Sequence, residues 1–287
     1  MKRLLLGVTL LAASATAVVF GRPADSASRA IAEDVPLHSF AFCPGGHTIV
    51  GWDGQKGWLI DWPAGTVRPA GVTAESVPRP PCPAPGFGVS PDGKSWAFEQ
   101  GTGRISVMDM ASGAVARTLT GHVGNVAAVA FSPDGAWLAS SGADNDLRVW
   151  NARTWQPVTV ITGMSHTAFG LAWSADSKSL LAGGASRNVS AWQVGSWAQT
   201  RTSPSLKMVV GALTLSHDGR RLAAGLFSAD DNRQPGAIAI LDATTLEVRT
   251  TIATPGGVDG LEFSRDDSAL VAAMSGRKGL VAFGVEP

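Results

Sequence analysis

Residues 129–135 read VAFSPDG, an apolar segment that leads into a turn, and relatives of this segment recur along the chain. A turn-like pentapeptide appears six times. The copies are FCPGG (42–46), VSPDG (89–93), FSPDG (131–135), WSADS (173–177), LSHDG (215–219) and FSRDD (263–267). We call the second residue of each copy its anchor: Cys43, Ser90, Ser132, Ser174, Ser216 and Ser264. Successive anchors lie 47, 42, 42, 42 and 48 residues apart. Three equal spacings in succession indicate a structural repeat.

The residues before each anchor alternate in size. Positions one and three before it are large and apolar, whereas positions two and four before it are small, apart from Glu262 in the last copy. Alternation with period two predicts a strand with two distinct faces. Because neither face is charged in the first five copies, we expect both faces to be packed. The small face would let a neighbouring unit approach closely.

Each unit contains four strand-like segments. Pro and Asp suit the middle of a tight turn and Gly its end, so the pentapeptide predicts a hairpin. A second apolar segment begins six residues after each anchor. Third and fourth segments follow, for example LRVW at 147–150 and PVTVIT at 157–162. Four short strands in about 42 residues are typical of one β-propeller blade.

Six such units fit the chain, which predicts an all-β protein with six four-stranded blades over residues 27–287. The sixth unit ends at its third strand, residues 280–285. A segment near Ser28 to Glu33 precedes the first unit at the spacing of a fourth strand. We therefore expect this N-terminal strand to complete the last blade and to close the ring, which leaves only short sheet edges.

Composition excludes several classes of protein. Lys plus Arg number 23 and Asp plus Glu number 23, so the formal net charge is zero and nucleic-acid binding is not indicated. Two cysteines cannot form a disulfide-rich scaffold, and the sequence contains no CxxC motif or His/Cys cluster typical of zinc sites. The pattern indicates neither a cofactor nor a metal.

The N-terminus resembles a targeting segment. Lys2 and Arg3 precede an apolar run from Leu4 to Phe20 that contains small-residue cleavage patterns. This layout over residues 1–20 is typical of a secretory signal peptide. An uncleaved N-terminal membrane anchor and a buried first helix are the alternatives. We expect a periplasmic or secreted protein with no other membrane span.

The third unit, GHVGNVAAVAFSPDGAWLASSGADNDLRVWN (121–151), resembles a WD repeat. In that family a His, a Ser or Thr, an Asp and a Trp form a hydrogen-bonded tetrad within the blade. The resemblance assigns these structural roles to His122, Ser140, Asp144 and Trp150. Other units depart from the pattern: the fourth keeps Trp192 but carries Ala182 and Ser186 at the Ser and Asp places. Some segments, such as IAILDATTLEV (238–248), also resemble lactonase-type bacterial propellers.

One group of titratable residues can be placed near the expected channel mouth. His38 and Asp259 each lie five residues before an anchor, and closure would bring them close to Glu262. This cluster is either a solvated group at the closing seam or a site for a ligand or metal.

The sequence lacks a nucleophile–base motif, a metal-ligand set and a cofactor fingerprint. It therefore favours a non-catalytic extracytoplasmic scaffold that binds a protein partner or another ligand. Five polar residues mark the candidate binding face: Asn125, Arg187, Lys207, Arg233 and Lys278. A metal-assisted hydrolase of the lactonase kind is the alternative, and a subunit of an envelope assembly is a third possibility. Trp155 and Trp197, at equivalent places, predict either rim packing or an aromatic binding patch.

Overall fold

The computed structural model describes residues 28–31, 35, 39–42, 47–52, 56–73, 87–99, 101–109, 112, 114–231, 234–275 and 280–285. These residues form 24 β-strands and no helix. The strands pair into six four-stranded antiparallel sheets. Within the described part of the chain, no helix is long and apolar enough to cross a membrane.

Five sheets each consist of four consecutive strands. The first contains β2 (Ser39–Phe42), β3 (Thr48–Trp52), β4 (Lys56–Asp61) and β5 (Val67–Thr73). The second contains β6 (Phe87–Val89), β7 (Ser95–Glu99), β8 (Arg104–Asp109) and β9 (Val115–Thr120). The third contains β10 (Val126–Phe131), β11 (Trp137–Gly142), β12 (Leu147–Asn151) and β13 (Pro157–Ile161). The fourth contains β14 (Ala168–Trp173), β15 (Ser179–Gly184), β16 (Val189–Gln193) and β17 (Gln199–Thr202). The fifth contains β18 (Val209–Leu215), β19 (Arg221–Phe227), β20 (Gly236–Asp242) and β21 (Val248–Thr254).

The sixth sheet combines the two ends of the described chain. It contains β22 (Val258–Phe263), β23 (Ala269–Met274), β24 (Leu280–Gly284) and, beside β24, the N-terminal strand β1 (Arg29–Ile31). Ile31 is opposite Leu280 in this antiparallel pair. Both side chains are buried in one apolar cluster with Phe40 of the first sheet. The pairing predicted for the segment near Ser28 to Glu33 is therefore present at Arg29–Ile31.

The anchor turns explain why the pentapeptide recurs. In the third sheet the Ser132 hydroxyl donates to Asp134 Oδ1 (2.5 Å) and accepts from the amide of Trp137 (2.9 Å). The amide of Gly135 donates to the carbonyl of Ser132 (2.9 Å), and Gly135 has a left-handed φ of 67°. The Ser–Asp hydrogen bond recurs at Ser90, Ser174, Ser216 and Ser264. Ser and Asp thus close the turn with side chains, and glycine meets its backbone requirement without steric cost.

Small residues on the first strands bring neighbouring sheets together, as the alternation predicted. A Cβ atom on Gly88 would lie 3.1 Å from the ring of Phe131, which belongs to the next sheet. One on Gly260 would lie 3.2 Å from the ring of Phe40, which links the sixth sheet to the first. The first strands of sheets two to six contact one another in sequence, and β22 contacts β2. Their small faces are therefore packing surfaces.

Candidate functional site

The tetrad residues of the third sheet form one continuous hydrogen-bonded chain. Trp150 Nε1 donates to Ser140 Oγ (3.2 Å), and Ser140 Oγ lies 2.9 Å from His122 Nε2. His122 Nδ1 lies 2.9 Å from Asp144 Oδ1. A neutral histidine with its proton on Nδ1 satisfies every bond in this order, since the Ser140 hydroxyl can then donate to Nε2.

The carboxylate of Asp144 is held ionised by its partners. Burial acts to raise its pKa, but the backbone amide of Val123 (2.8 Å) and the His122 ring lower the pKa below its usual value. The bond to Val123 also fixes the loop that leads into β10. Val123 itself is 76% exposed. The network therefore supports a rigid exposed loop.

This network has the residue types of a Ser–His–Asp catalytic triad but lacks access to a substrate. Ser140 is 0% exposed and already receives the indole proton of Trp150, while His122 is buried. A nucleophile must reach the substrate, and its base must be free to exchange a proton with it. The arrangement fits a buried polar network that satisfies its own groups.

The fourth sheet shows what replaces the tetrad elsewhere. Trp192 is buried, and Ala182 is buried at the place of the tetrad serine. Ser186, at the place of the tetrad aspartate, instead donates to Asn188 (2.9 Å). Apolar packing therefore takes over from the hydrogen-bonded chain.

Residues of five first strands, β6, β10, β14, β18 and β22, line a cavity of about 440 Å³, which we call the central cavity. β-Bulges occur near the start of four first strands, at Ala127, Phe169, Gly211 and Asp259. Each of these residues lies five positions before the anchor of its unit. A bulge re-aims a side chain. Three of these residues, Phe169, Gly211 and Asp259, line the cavity.

The structure brings two of the three predicted channel-mouth residues to one wall. Asp259 and Glu262, both on β22, line the central cavity. Ser275 Oγ donates to Asp259 Oδ2 at 2.6 Å, which fixes that carboxylate. His38 lies outside the described residues. No group of three or more His, Cys, Asp or Glu side chains suited to a metal ion occurs in the described part of the chain.

The alternation of the sequence did not reveal the aromatic pair at this mouth. Phe169 is 39% exposed, and its ring lies 6.3 Å from that of Phe227 on β19. The sequence contained one signal for this pair. Phe169 lies five positions before its anchor, where the other units carry smaller or polar residues.

Three of the five predicted binding-face residues are described, and all three are exposed: Asn125, Arg187 and Lys207. The amide of Leu206, next to Lys207, donates to the carbonyl of Arg187 at 2.7 Å, so these two loops are tied together. The carbonyl of Asn125 accepts from the amide of Ala143 (2.8 Å). Arg233 and Lys278 lie outside the described residues. We call the surface formed by Val123, Asn125, Arg187 and Lys207 the loop face.

Comparison with known proteins agrees with the repeat pattern. Residues 113–151 match the family model described as WD domain, G-beta repeat. The third unit is a WD repeat. The match includes all four tetrad residues, and the predicted resemblance to WD-repeat propellers is confirmed.

Solved structures share the fold over long stretches at low sequence identity. A chain in a crystal structure of a mitotic checkpoint complex superposes with a TM-score of 0.65 at 18% identity, covering 100% of both chains. Hydrazine synthase of Kuenenia stuttgartiensis gives a TM-score of 0.59 at 18% identity, covering 66% of this chain and 55% of the other. A search of curated proteins finds no match. The likeness is therefore one of fold: the chain has the WD-repeat β-propeller fold.

Proposed function

We propose that this chain is a non-catalytic, six-bladed β-propeller scaffold that binds a protein partner through its loop face. The pairing of β1 with β24 and the contact of β22 with β2 support a closed ring. WD-repeat propellers typically act as scaffolds for protein interaction, and a similar chain occurs in a mitotic checkpoint complex.

One observation carries the proposal. The reactive side chains of the third sheet are sealed below the surface, while the residues directly above them are exposed and fixed in place. His122 and Ser140 are buried, whereas the adjoining Val123 is exposed and hydrogen-bonded through its amide to Asp144. A rigid exposed loop on a stable scaffold favours binding, because little conformational entropy is lost on association.

The experiment is site-specific photocross-linking in the native host. A photoreactive amino acid at Asn125, Arg187 or Lys207 should yield the same cross-linked protein. The matched controls are Val158 and Val248, which are 42% and 40% exposed on outer strands. They should not yield that product. Cross-links that are absent at all three loop positions, or equally frequent at the control positions, would contradict the proposal.

We also propose an extracytoplasmic location, which rests on Lys2, Arg3 and the apolar run from Leu4 to Phe20. These residues lie outside the described part of the chain. Cell fractionation with protease treatment of intact spheroplasts tests the location. Degradation of the protein by external protease would support it, and protection until the membrane is lysed would contradict it.

The hydrolase alternative has weaker support. Metal-assisted hydrolysis needs several oxygen ligands that converge on one ion. On the described wall of the cavity only Asp259 and Glu262 carry carboxylates. A stoichiometric divalent ion in the purified protein, lost in the double variant Asp259→Asn, Glu262→Gln, would favour this alternative.

A further inference from the structure

From sheet two to sheet six, two kinds of seam alternate between neighbouring sheets. They differ at the residue three positions after each anchor. At the seam between sheets three and four, Ser177 Oγ accepts from the backbone amide of Asp134 (3.0 Å). At the seam between sheets five and six, Asp267 accepts from the amides of His217 (2.8 Å) and Asp218 (2.9 Å). We call these two the stapled seams.

The other two described seams carry glycine at this position. Gly135 follows the anchor of sheet three and Gly219 that of sheet five, both with left-handed φ (67° and 72°). Without a side chain to bridge the gap, each glycine seam has a cleft on the face that carries the anchor turns. The cleft between sheets two and three has a volume of about 270 Å³, and the one between sheets four and five about 380 Å³.

The two clefts are built from equivalent residues. We call them the 2/3 cleft and the 4/5 cleft. Each is lined by an anchor serine and by the aspartates of the two adjoining anchor turns. These aspartates are Asp92 and Asp134 in the 2/3 cleft, and Asp176 and Asp218 in the 4/5 cleft. The pKa of each carboxyl lies below its usual value. The anchor-serine hydroxyl is the largest cause for Asp92, Asp176 and Asp218. For Asp134 burial acts to raise the pKa, but hydrogen bonds from the Ser132 hydroxyl, the Ala136 amide and the Ser177 hydroxyl together outweigh it.

The 4/5 cleft already holds an arginine of this chain. Arg201, on the outer strand β17, lines this cleft together with Asp176 and Asp218, and in the described part of the chain it forms no salt bridge with either carboxylate. Its guanidinium donates to the backbone carbonyl of Thr244 in the fifth sheet. The cleft therefore has room for a guanidinium group and offers it one backbone acceptor, with two carboxylates in the same lining.

The 2/3 cleft offers the same setting without that arginine. Arg117 has the same strand position in the second sheet as Arg201 has in the fourth. Arg117 is opposite Val107 of the third strand, and Arg201 is opposite the equivalent residue, Ala191. The guanidinium of Arg117, however, donates to the carbonyl of Ala116 (2.7 Å), and Arg117 does not line the cleft.

One wall of the 2/3 cleft is aromatic. Trp155 and Phe131 line it, with their rings 6.2 Å apart in an edge-to-face arrangement. Two cations of the chain lie nearby. Arg153 lines the cleft, and Lys94 Nζ lies 3.8 Å from Asp92 Oδ2, with both of these side chains largely exposed. Since the Lys94 pair is solvated, it competes weakly with a group that enters the cleft.

We propose that the 2/3 cleft receives an arginine side chain from a protein partner. The proposal rests on the scaffold function proposed above and adds a second contact, at the end of the strands opposite the loop face. The entering guanidinium takes the place that Arg201 holds in the 4/5 cleft. It donates to the carbonyl of Arg153, the counterpart of Thr244. In addition to the contact that Arg201 makes, it donates to the carboxylates of Asp92 and Asp134, which line the same cleft. Its planar face stacks against Trp155, which a lysine ammonium cannot do equally well.

The test is an NMR titration of the purified protein with N-acetyl-arginine-N-methylamide. The citrulline analogue, a neutral isostere, is the matched probe. The arginine probe should shift the Trp155 indole and Gly135 amide resonances in a saturable way, and the citrulline probe should not. Asp92→Asn and Asp134→Asn should each weaken binding about tenfold or more, since each removes one charge but keeps the oxygen that closes the turn.

The other cleft supplies matched control variants. Asp176→Asn and Asp218→Asn make the same chemical changes in the 4/5 cleft and should leave the resonance shifts of Trp155 unchanged. Trp155→Leu introduces leucine, which is the residue at the equivalent position of the fifth sheet, Leu246. It should weaken binding several-fold while preserving the fold. Equal binding of citrulline, or equal effects of both aspartate pairs, would overturn the proposal.

A second copy of this chain is the remaining candidate occupant of the cleft. Shifts of Trp155 that depend on protein concentration without a probe would show that a second copy covers the cleft, and would overturn the proposal. If a partner is captured at the loop face but the arginine probe does not bind at the cleft, the cleft proposal is overturned and the scaffold function stands. Arginine binding without any captured partner would instead contradict the scaffold function.

Discussion

The backbone of Leu213 on β18 packs directly over the α-carbon of Gly170 on β14. A Cβ atom added to Gly170 would lie 2.8 Å from the Leu213 amide nitrogen and 2.9 Å from its Cγ. Because the closest neighbour is backbone, it cannot rotate away. The first strands of the fourth and fifth sheets therefore approach as closely as they do only because position 170 lacks a side chain.

Gly170→Ala should destabilise the protein. Overpacking of this kind costs about 1–3 kcal/mol because the strands must move apart. Chemical denaturation followed by tryptophan fluorescence measures the loss. Gly284→Ala is the control, since a Cβ atom there would have no neighbour within 4 Å. Equal stability of the two variants would show that the small face is not a packing surface.

Ser140→Ala should destabilise the third sheet. The change leaves Trp150 Nε1 and His122 Nε2 buried without their shared partner, which costs about 1–3 kcal/mol. Thermal unfolding measures the effect. Ser196→Ala, at an exposed turn, should change the melting temperature little. A Ser140→Ala protein as stable as the parent would contradict a structural role for the tetrad.

Asp267→Gly tests the stapled seams. Glycine is the residue at the equivalent positions 135 and 219, and it tolerates the left-handed φ of 57° found at Asp267. The variant relieves that backbone cost but removes the carboxylate that accepts from the His217 and Asp218 amides and lies 2.9 Å from His217 Nδ1. We expect a net loss of about 1 kcal/mol. Urea denaturation measures it, with Ser177→Gly as a companion that loses the contacts of the Ser177 hydroxyl with Asp134. A gain in stability would contradict the staple.

Acid should destabilise the protein between about pH 4 and pH 2. Backbone hydrogen bonds from Thr245 and the bond from Arg249 lower the pKa of Asp242 to about 2. Because this pKa is lower when the protein is folded, the stabilisation is present above the unfolded value, about 3.9, and is lost as the pH falls through about 2. The effect is small, since the group is largely solvated.

Asp242→Asn removes that titration. Melting temperatures measured from pH 7 to pH 2 should fall less steeply for the variant than for the parent over the lowest two pH units. Parallel pH profiles of the two proteins would contradict the assignment. The anchor-turn aspartates, whose pKa values are also lowered, would still contribute to the acid sensitivity of both proteins.

Much of the fold could be predicted because the sequence pattern of each strand recurs in several units. The size alternation before Ser132 or Ser174 predicted both the strand and its packing face, and the spacing before Cys43 predicted the pairing of the N-terminal strand. The tetrad followed from the resemblance to WD repeats, since His122 and Trp150 mark both ends of one unit. These features depend on local pattern, which a sequence shows directly.

The clefts and the channel mouth could not be predicted in the same way. The bulge that turns Asp259 and Phe169 into the central cavity depends on backbone pairing and has no side-chain signature. The seams depend on pairs such as Ser177 with Asp134, which lie in different units. Their one sequence signal was a polar residue at Ser177 or Asp267, where other units carry glycine.

A crystal structure tests the central claim, a closed ring of six sheets, most directly. We expect six four-stranded sheets around one channel, with Ile31 opposite Leu280 and the Phe40 ring against Gly260. A gap between the first and the sixth sheet, or an N-terminal strand that pairs elsewhere, would contradict it.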